Sequence, residues 1–344
     1  MMMNTRVRSA RWVVLWLSLL LVAYGVIGLP PGKSKGYSGS GITIQTPVYL
    51  GQVSHLGRLH TDVYLQRGFT YEKLGQYSSA IRVFNQAIAL EPEFAAAYSL
   101  RGWSYFQQGL HAQAIADFDQ AIALTPDDCL ALYGRGLAHW QRGQWQWAIQ
   151  DFDQVLLLNL TIRMGYVSGS NLAPTLAEVY FYRGSALVFQ GQIEKGIADL
   201  SQAITLNPEH NQAYWVRALA YIDSGDWLKA EDDFISLFAL VPEIANRAID
   251  YFTGLIQKDA TDLVAYYFRA IAYGFREEYS AAIADLTHVI ALNSELALAY
   301  FLRGKMQFAS GREDSAIPDL QKALALELPE PLAAEAQRLI AQKH

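Results

Sequence analysis

The chain of 344 residues holds one cysteine, Cys129. A single thiol makes no internal disulfide, and it has no metal-ligand companions in a recognisable spacing. A disulfide scaffold and a cysteine-based metal centre are therefore excluded. An excess of basic charge is missing too: 27 Lys and Arg stand against 33 Asp and Glu, for a net charge of −6. That balance lacks the footprint needed to hold a phosphate backbone, so no nucleic-acid partner is expected. There is no HExxH, no GxSxG, no CxxC and no Gly-rich phosphate loop. The histidines (His55, His60, His111, His139, His210, His288 and His344) are scattered, and none forms a recurring pair. His139 reads as a packed, hydrogen-bonded side chain, because buried polar groups are normally paired. Asp127 and Asp128 read as a helix start rather than as a carboxylate pair for acid–base work. No catalytic residue, cofactor-binding residue or metal ligand is assigned, no cofactor or small-molecule substrate is expected, and the reading is non-enzymatic.

What the chain does have is internal repetition. Residues 95–128, AAAYSLRGWSYFQQGLHAQAIADFDQAIALTPDD, form the cleanest of seven copies between Thr61 and Glu330. Counted from Ala95, this copy has Tyr98 fourth, Gly102 eighth, Tyr105 eleventh, Ala114 twentieth, Phe118 twenty-fourth, Ala121 twenty-seventh and Pro126 thirty-second. The eighth position is small throughout: Gly68, Gly102, Gly136, Gly184, Ala218, Ala270 and Gly304. The twentieth is Ala80, Ala114, Ala148, Gly196, Ala230, Ala282 and Ala316, and the twenty-fourth is always Phe or Leu. Small side chains at both positions let two antiparallel helices approach closely while larger knobs fill the flanking holes. Glycine at the fifteenth position in six copies suits a left-handed helix end. Links such as Thr125-Pro126-Asp127 predict Pro at the first helical position of the next unit. Almost no strand is expected.

This period and these offsets resemble the tetratricopeptide repeat (TPR) family. The resemblance covers about four fifths of the chain. It implies an all-α fold, a right-handed TPR superhelix of about seven helix–turn–helix repeats. It also implies a role in holding other chains.

Two stretches break the frame. RMGYVSGSNLAPTL, residues 163–176, reads as an inserted loop, and residues 245–262 read as an inserted extra helix in which Ala248, Phe252 and Leu255 mimic a second helix. Repeats 1–3 then occupy 61–162, repeats 4–5 occupy 177–244, repeats 6–7 occupy 263–330, and 331–344 forms a capping helix. Upstream, 12–29 is an uncharged apolar run preceded by Arg6, Arg8 and Arg11. Its length suits a membrane anchor and the arginines favour a cytoplasmic N-terminus. Residues 1–29 are accordingly read as an N-terminal apolar helix, and the expected localisation is single-pass, with the array on the extracytoplasmic side. The alternative is a cleaved signal sequence and a secreted or periplasmic array. Residues 30–60 read as a flexible tether, in which ITIQTPVYLGQV has β-like alternation.

One polar regularity runs through the array. The seventh position is Arg in every copy: Arg67, Arg101, Arg135, Arg183, Arg217, Arg269 and Arg303. The twenty-third is Asp in all but the first: Asp117, Asp151, Asp199, Asp233, Asp285 and Asp319, with Val83 as the exception. TPR sequences more often have Leu at the seventh position. A ladder of ion pairs within each repeat is expected. Pairing of each Arg with the next copy's Asp ranks lower, since it would cross both insertions, although counting alone does not choose. Binding of an acidic ligand is the functional alternative.

The TPR resemblance implies an inner groove lined by the first helix of each repeat. Carried over by position, the lining includes Phe69, Trp103, Phe106, Tyr133, Trp140, Phe181, Phe189, Trp215, Tyr267, Phe275, Phe301 and Phe308. Few charges fall there, and the Lys, Asn and Arg set by which some TPR domains clamp a carboxylate is missing. The expected function is a scaffold binding an apolar or amphipathic segment of a protein or peptide partner. The alternatives are a structural or assembly subunit and a self-association module, and the aromatics either bind a ligand or pack adjacent helices.

Overall fold

A computed structural model describes residues 55–161 and 174–342, with side chains at 61–158 and 174–342. Sixteen α-helices and no strand occur among the described residues. In chain order they are α1 (His55–Lys73), α2 (Tyr77–Leu90), α3 (Ala95–Gln107), α4 (His111–Leu124), α5 (Cys129–Gln141), α6 (Trp145–Thr161), α7 (Leu176–Phe189) and α8 (Ile193–Leu206). There follow α9 (Asn211–Ser224), α10 (Trp227–Leu240), α11 (Ile244–Lys258), α12 (Leu263–Phe275), α13 (Tyr279–Leu292), α14 (Ala297–Ala309), α15 (Glu313–Ala325) and α16 (Glu330–Ala341). The chain divides into two compact units between Ala220 and Tyr221, inside α9.

Within each unit the unit of construction is a helical hairpin, and its spacing follows from side-chain size. A Cβ added at Gly102 of α3 would lie 2.8 Å from Cε1 of Phe118 on α4. The Phe118 ring also lies against Gly134 on α5, so one aromatic is wedged between the backbones of two successive first helices. Phe84, Phe118, Phe152, Phe234, Leu200, Leu286 and Leu320, the twenty-fourth-position knobs, are all essentially buried. In the five repeats with glycine at position eight, the knob faces that glycine.

Hairpin turns follow the glycine pattern. Gly75, Gly109, Gly143, Gly191, Gly225 and Gly311 all have positive φ, between 70° and 87°. In the sixth repeat the same place is taken by Glu277, which adopts φ 61° despite its Cβ. Repeat junctions differ from the sequence expectation by one turn. Pro126 and Asp127 lie in a turn closed by Asp128 N–H donating to Thr125 O at 3.1 Å. The helix starts only at Cys129, with Asp128 as its cap accepting from Ala131 N–H at 3.0 Å. Proline therefore shapes the linker turn and does not occupy the first helical position.

In the second unit α11 stands where no first helix precedes it. Phe252 on α11, Phe234 on α10 and Phe268 on α12 form a triangle of rings with centroids 5.6–6.0 Å apart. α16 closes the last hairpin by packing Ala333 and Ala336 against Phe301, Leu320 and Ala323.

The single-pass membrane localisation is corrected. No helix among the described residues is long and apolar enough to cross a membrane. The longest, α1, has 19 residues and carries Arg58, Asp62, Arg67, Glu72 and Lys73, charges that hydrocarbon does not tolerate on a lone helix. The apolar run at 12–29, on which the expected N-terminal helix, its membrane contact and the cleaved alternative all rested, lies outside the described residues, as do tether residues 30–54 and loop residues 162–173.

Candidate functional site

The arginine ladder is an interlock between repeats. Arg101 Nε and Nη2 donate to both carboxylate oxygens of Asp117 at 2.7 and 2.6 Å, while Nη1 donates to Asn85 of the preceding repeat at 2.6 Å. Arg135 grips Asp151 and reaches back to Asp119 at 2.6 Å. Arg183 grips Asp199 and reaches back to Asp153 at 2.7 Å, across the insertion. Arg269 and Arg303 hold Asp285 and Asp319 in the same fork, with Thr253 and Thr287 behind them. Arg217 reaches back to Ser201 at 2.9 Å. Pairing is thus within the repeat. The reach backwards goes to position twenty-five of the preceding second helix or, for Arg269, to Thr253 on the inserted α11, and Asn, Asp, Ser or Thr can each accept there.

A tyrosine at position four lies against the arginine in five repeats, while the third has Leu132 there. Tyr98, Tyr180, Tyr214, Tyr266 and Tyr300 lie 5.3–5.7 Å from the guanidinium carbons of their own arginines. Hydrogen bonding to Asp117 and Asp285 holds Arg101 and Arg269 above the ordinary guanidinium value. Burial pushes the Asp151 carboxyl up, against the downward pull of Arg135. A carboxylate buried this way needs its cation, so the ladder is structural and leaves no forked arginine open to an acidic ligand.

The first-helix aromatics divide into two sets. In the first unit Trp103, Tyr133, Trp140 and Phe181 are 3–5% exposed and fill the seams between neighbouring hairpins. Trp103 meets Tyr133 at 6.0 Å, and Trp140 meets Tyr182 at 5.5 Å. Burial pushes the Tyr182 phenol up to about 12. Tyr267 and Phe301 are buried likewise in the second unit. Phe69, Phe106, Phe189 and Trp215 of the first unit stay partly exposed, as does Phe308 of the second, and Phe275 is 38% exposed. Trp145, at the start of α6, stacks on Phe189 with centroids 4.7 Å apart and planes 21° apart. It belongs to a second helix, so a rule confined to first helices passes over it.

Polar groups, some of them buried, accompany these rings. Glu72 on α1 is hydrogen-bonded to Ser104 Oγ on α3 at 2.6 Å, while its Oε2 and the Nε1 of Trp103 and Trp140 have no hydrogen-bond partner among the described residues. In the second unit Tyr267 donates to the Glu231 carboxylate at 3.1 Å, and Lys305 pairs with Glu335 at 3.1 Å. His139 shares a hydrogen bond with Gln144 at 2.7 Å and stacks on Trp147. The Cys129 thiol is half-buried, and burial raises it further from a reactive thiolate.

The repeat geometry has a counterpart among known families. The family described as Tetratricopeptide repeat matches over residues 65–128, 101–158, 183–239 and 267–330, together well over half of the chain. The chain belongs to the tetratricopeptide repeat family. Among solved structures, a TPR protein from Parabacteroides merdae ATCC 43184 is 19% identical with TM-score 0.46, over 82% of this chain and 98% of that one. MamA from Desulfovibrio magneticus RS-1, residues 41 to the end, is 19% identical with TM-score 0.47, over 53% of this chain and 96% of that one. At these identities and scores the likeness says nothing of activity or partner. No curated protein matches the sequence.

Proposed function

We propose that this TPR protein is a non-catalytic scaffold that binds an apolar or amphipathic segment of a protein partner on its first-helix face. The observation that carries the reading is the partly exposed aromatic set of the first unit, Phe69, Phe106, Phe189 and Trp215, with Trp145 stacked on Phe189. Aromatic rings supply large contact area at low rotamer cost, and the anchors of an interface are enriched in them. The arginine interlock supports the same reading, because a rigid face lowers the ordering cost of binding.

A second reading, assembly through the opposite layer, has one observation in its favour: Trp147 on α6 is 60% exposed. Affinity capture of the partner with Phe189→Ala and Trp215→Ala, each in a folded array, separates the two. Each substitution is expected to weaken recovery at least tenfold, since truncating a central anchor costs about 2 kcal/mol or more. Trp147→Ala is expected to leave recovery unchanged. Loss on Trp147→Ala alone would transfer the function to the second-helix layer.

A further inference from the structure

Position twelve of the first helix is apolar or glycine in six repeats, as Phe106, Trp140, Val188, Ile222, Gly274 and Phe308, but in the first repeat it is Glu72. That carboxyl lies in the seam between α1 and α3, bonded to Ser104 through one oxygen and, among the described residues, to nothing through the other. Among the described side chains, the surrounding charged and titratable groups do not neutralise it. On α1, Arg67 turns to Tyr71 and Lys73 sits over the Phe69 ring, and neither Asp62 nor Tyr64 bonds to it. On α2, Arg82 donates to Ser79 and Tyr77 makes no bond to Glu72. On α3, Arg101 is committed to Asp117 and Asn85, and Tyr98 and Tyr105 lie against that arginine.

The same hairpin stands outside part of the interlock. Val83 replaces the ladder aspartate, so Arg67 has no carboxylate to fork onto in its own repeat and lies exposed. Of the clasps described above, only that of Arg101, through Asn85, ties the first repeat to the second.

We infer that the first hairpin, α1–α2, is a proton-gated end of the array: it seats on α3 with Glu72 as the neutral acid and loosens when Glu72 ionises. The geometry suits the neutral form. Ser104 Oγ lies 2.6 Å from Glu72 Oε1 and 3.2 Å from Leu100 O. A protonated Oε1 donates to Ser104 Oγ, which then donates its own hydrogen to Leu100 O, and every polar hydrogen of that chain is used. An ionised Glu72 takes the Ser104 hydrogen away from Leu100 O and leaves a charge in the seam without a cation among the described residues. Burial accordingly pushes the carboxyl from 4.5 up to about 7, the Ser104 bond opposing. Its value in the seated state is the higher one, so seating is strongest below the ordinary carboxylate range and weakens as pH rises towards about 7. Phe69 travels with α1, so the gate sets the length of the aromatic face.

Hydrogen exchange of the full chain at about pH 5.5 and about pH 8, corrected for intrinsic rates, tests this, with α7–α8 of the same unit as internal reference. A single ionisation moved that far predicts a roughly 25-fold loss of protection in α1–α2 relative to α7–α8 on going to the higher pH. Glu72→Gln, which keeps a donor and acceptor but has no charge, is expected to abolish the difference and hold α1–α2 seated at both pH values. Glu72→Val, apolar like Val188 at the equivalent place, is expected to do the same. Unchanged relative protection in the wild-type chain would overturn the inference, and so would the full pH effect persisting in both variants.

Discussion

Asp151→Ala tests the interlock where its parts are most fully displayed. The Asp151 side chain is 6% exposed and receives two Arg135 nitrogens, with Nη2 at 2.7 Å. Breaking a fully buried pair by removing one partner costs about 3–5 kcal/mol, because the other charge stays behind. Two features reduce that here. The Arg135 side chain is 23% exposed, and Asp119 remains 2.6 Å from its Nη1. The expected loss is about 2–3 kcal/mol, or roughly 5–10 °C in midpoint for a cooperative unit of this size. Asp119→Ala is the control: that side chain is 55% exposed, and its loss should stay under about 1 kcal/mol. Arg135→Leu combined with Asp151→Leu should recover most of the deficit, since replacing a buried pair by apolar packing is often neutral or stabilising. Urea unfolding followed by circular dichroism reads all of these. If Asp151→Ala and Asp119→Ala destabilise equally, the fork is not what holds the hairpins together and the reasoning fails.

Gly102→Leu forces a side chain into the Phe118 ring and should destabilise by about 3 kcal/mol or more, the top of the usual overpacking range; an unchanged melting curve would mean the hairpin contact is misplaced. Trp140→Ala should cost about 3–5 kcal/mol, yet Trp140→Phe should cost far less, because the indole N–H it removes has no hydrogen-bond partner; equal losses in the two melts would contradict this. Glu277→Gly should stabilise by about 0.5–1 kcal/mol, since a non-glycine residue there bears the left-handed penalty, and a lower urea midpoint would count against it.

Much of the fold was legible because the family writes its packing in residue size. Small residues at positions eight and twenty, with a knob at twenty-four, describe a hairpin completely enough to place Gly102 against Phe118. The arginine ladder was half legible. Arg and Asp at fixed places announced a pair, but the backward reach to Asn85, Asp119, Asp153, Ser201, Thr253 and Thr287 was missed. Those acceptors differ in type, and a pattern held by hydrogen-bonding capacity alone leaves no single letter to notice. The aromatics were legible as a set but not by role. Trp103 and Phe106 sit on one helix only three residues apart, yet the first is buried and the second partly exposed. Sequence offsets assign a residue to a helix face. They do not say how deeply the next hairpin covers it, and that depth separates packing from binding surface. Glu72 falls by position among the few charges on the first-helix lining, but its burial depends on where Ser104 comes to rest.

A photo-crosslinking amino acid placed in turn at positions 189, 215 and 147 tests the central claim most directly, with the partner present and adducts identified by mass spectrometry. Binding on the first-helix face predicts strong partner adducts from 189 and 215 and little from 147. Adducts from 147 alone, whether to another protein or to a second copy of the chain, would contradict it.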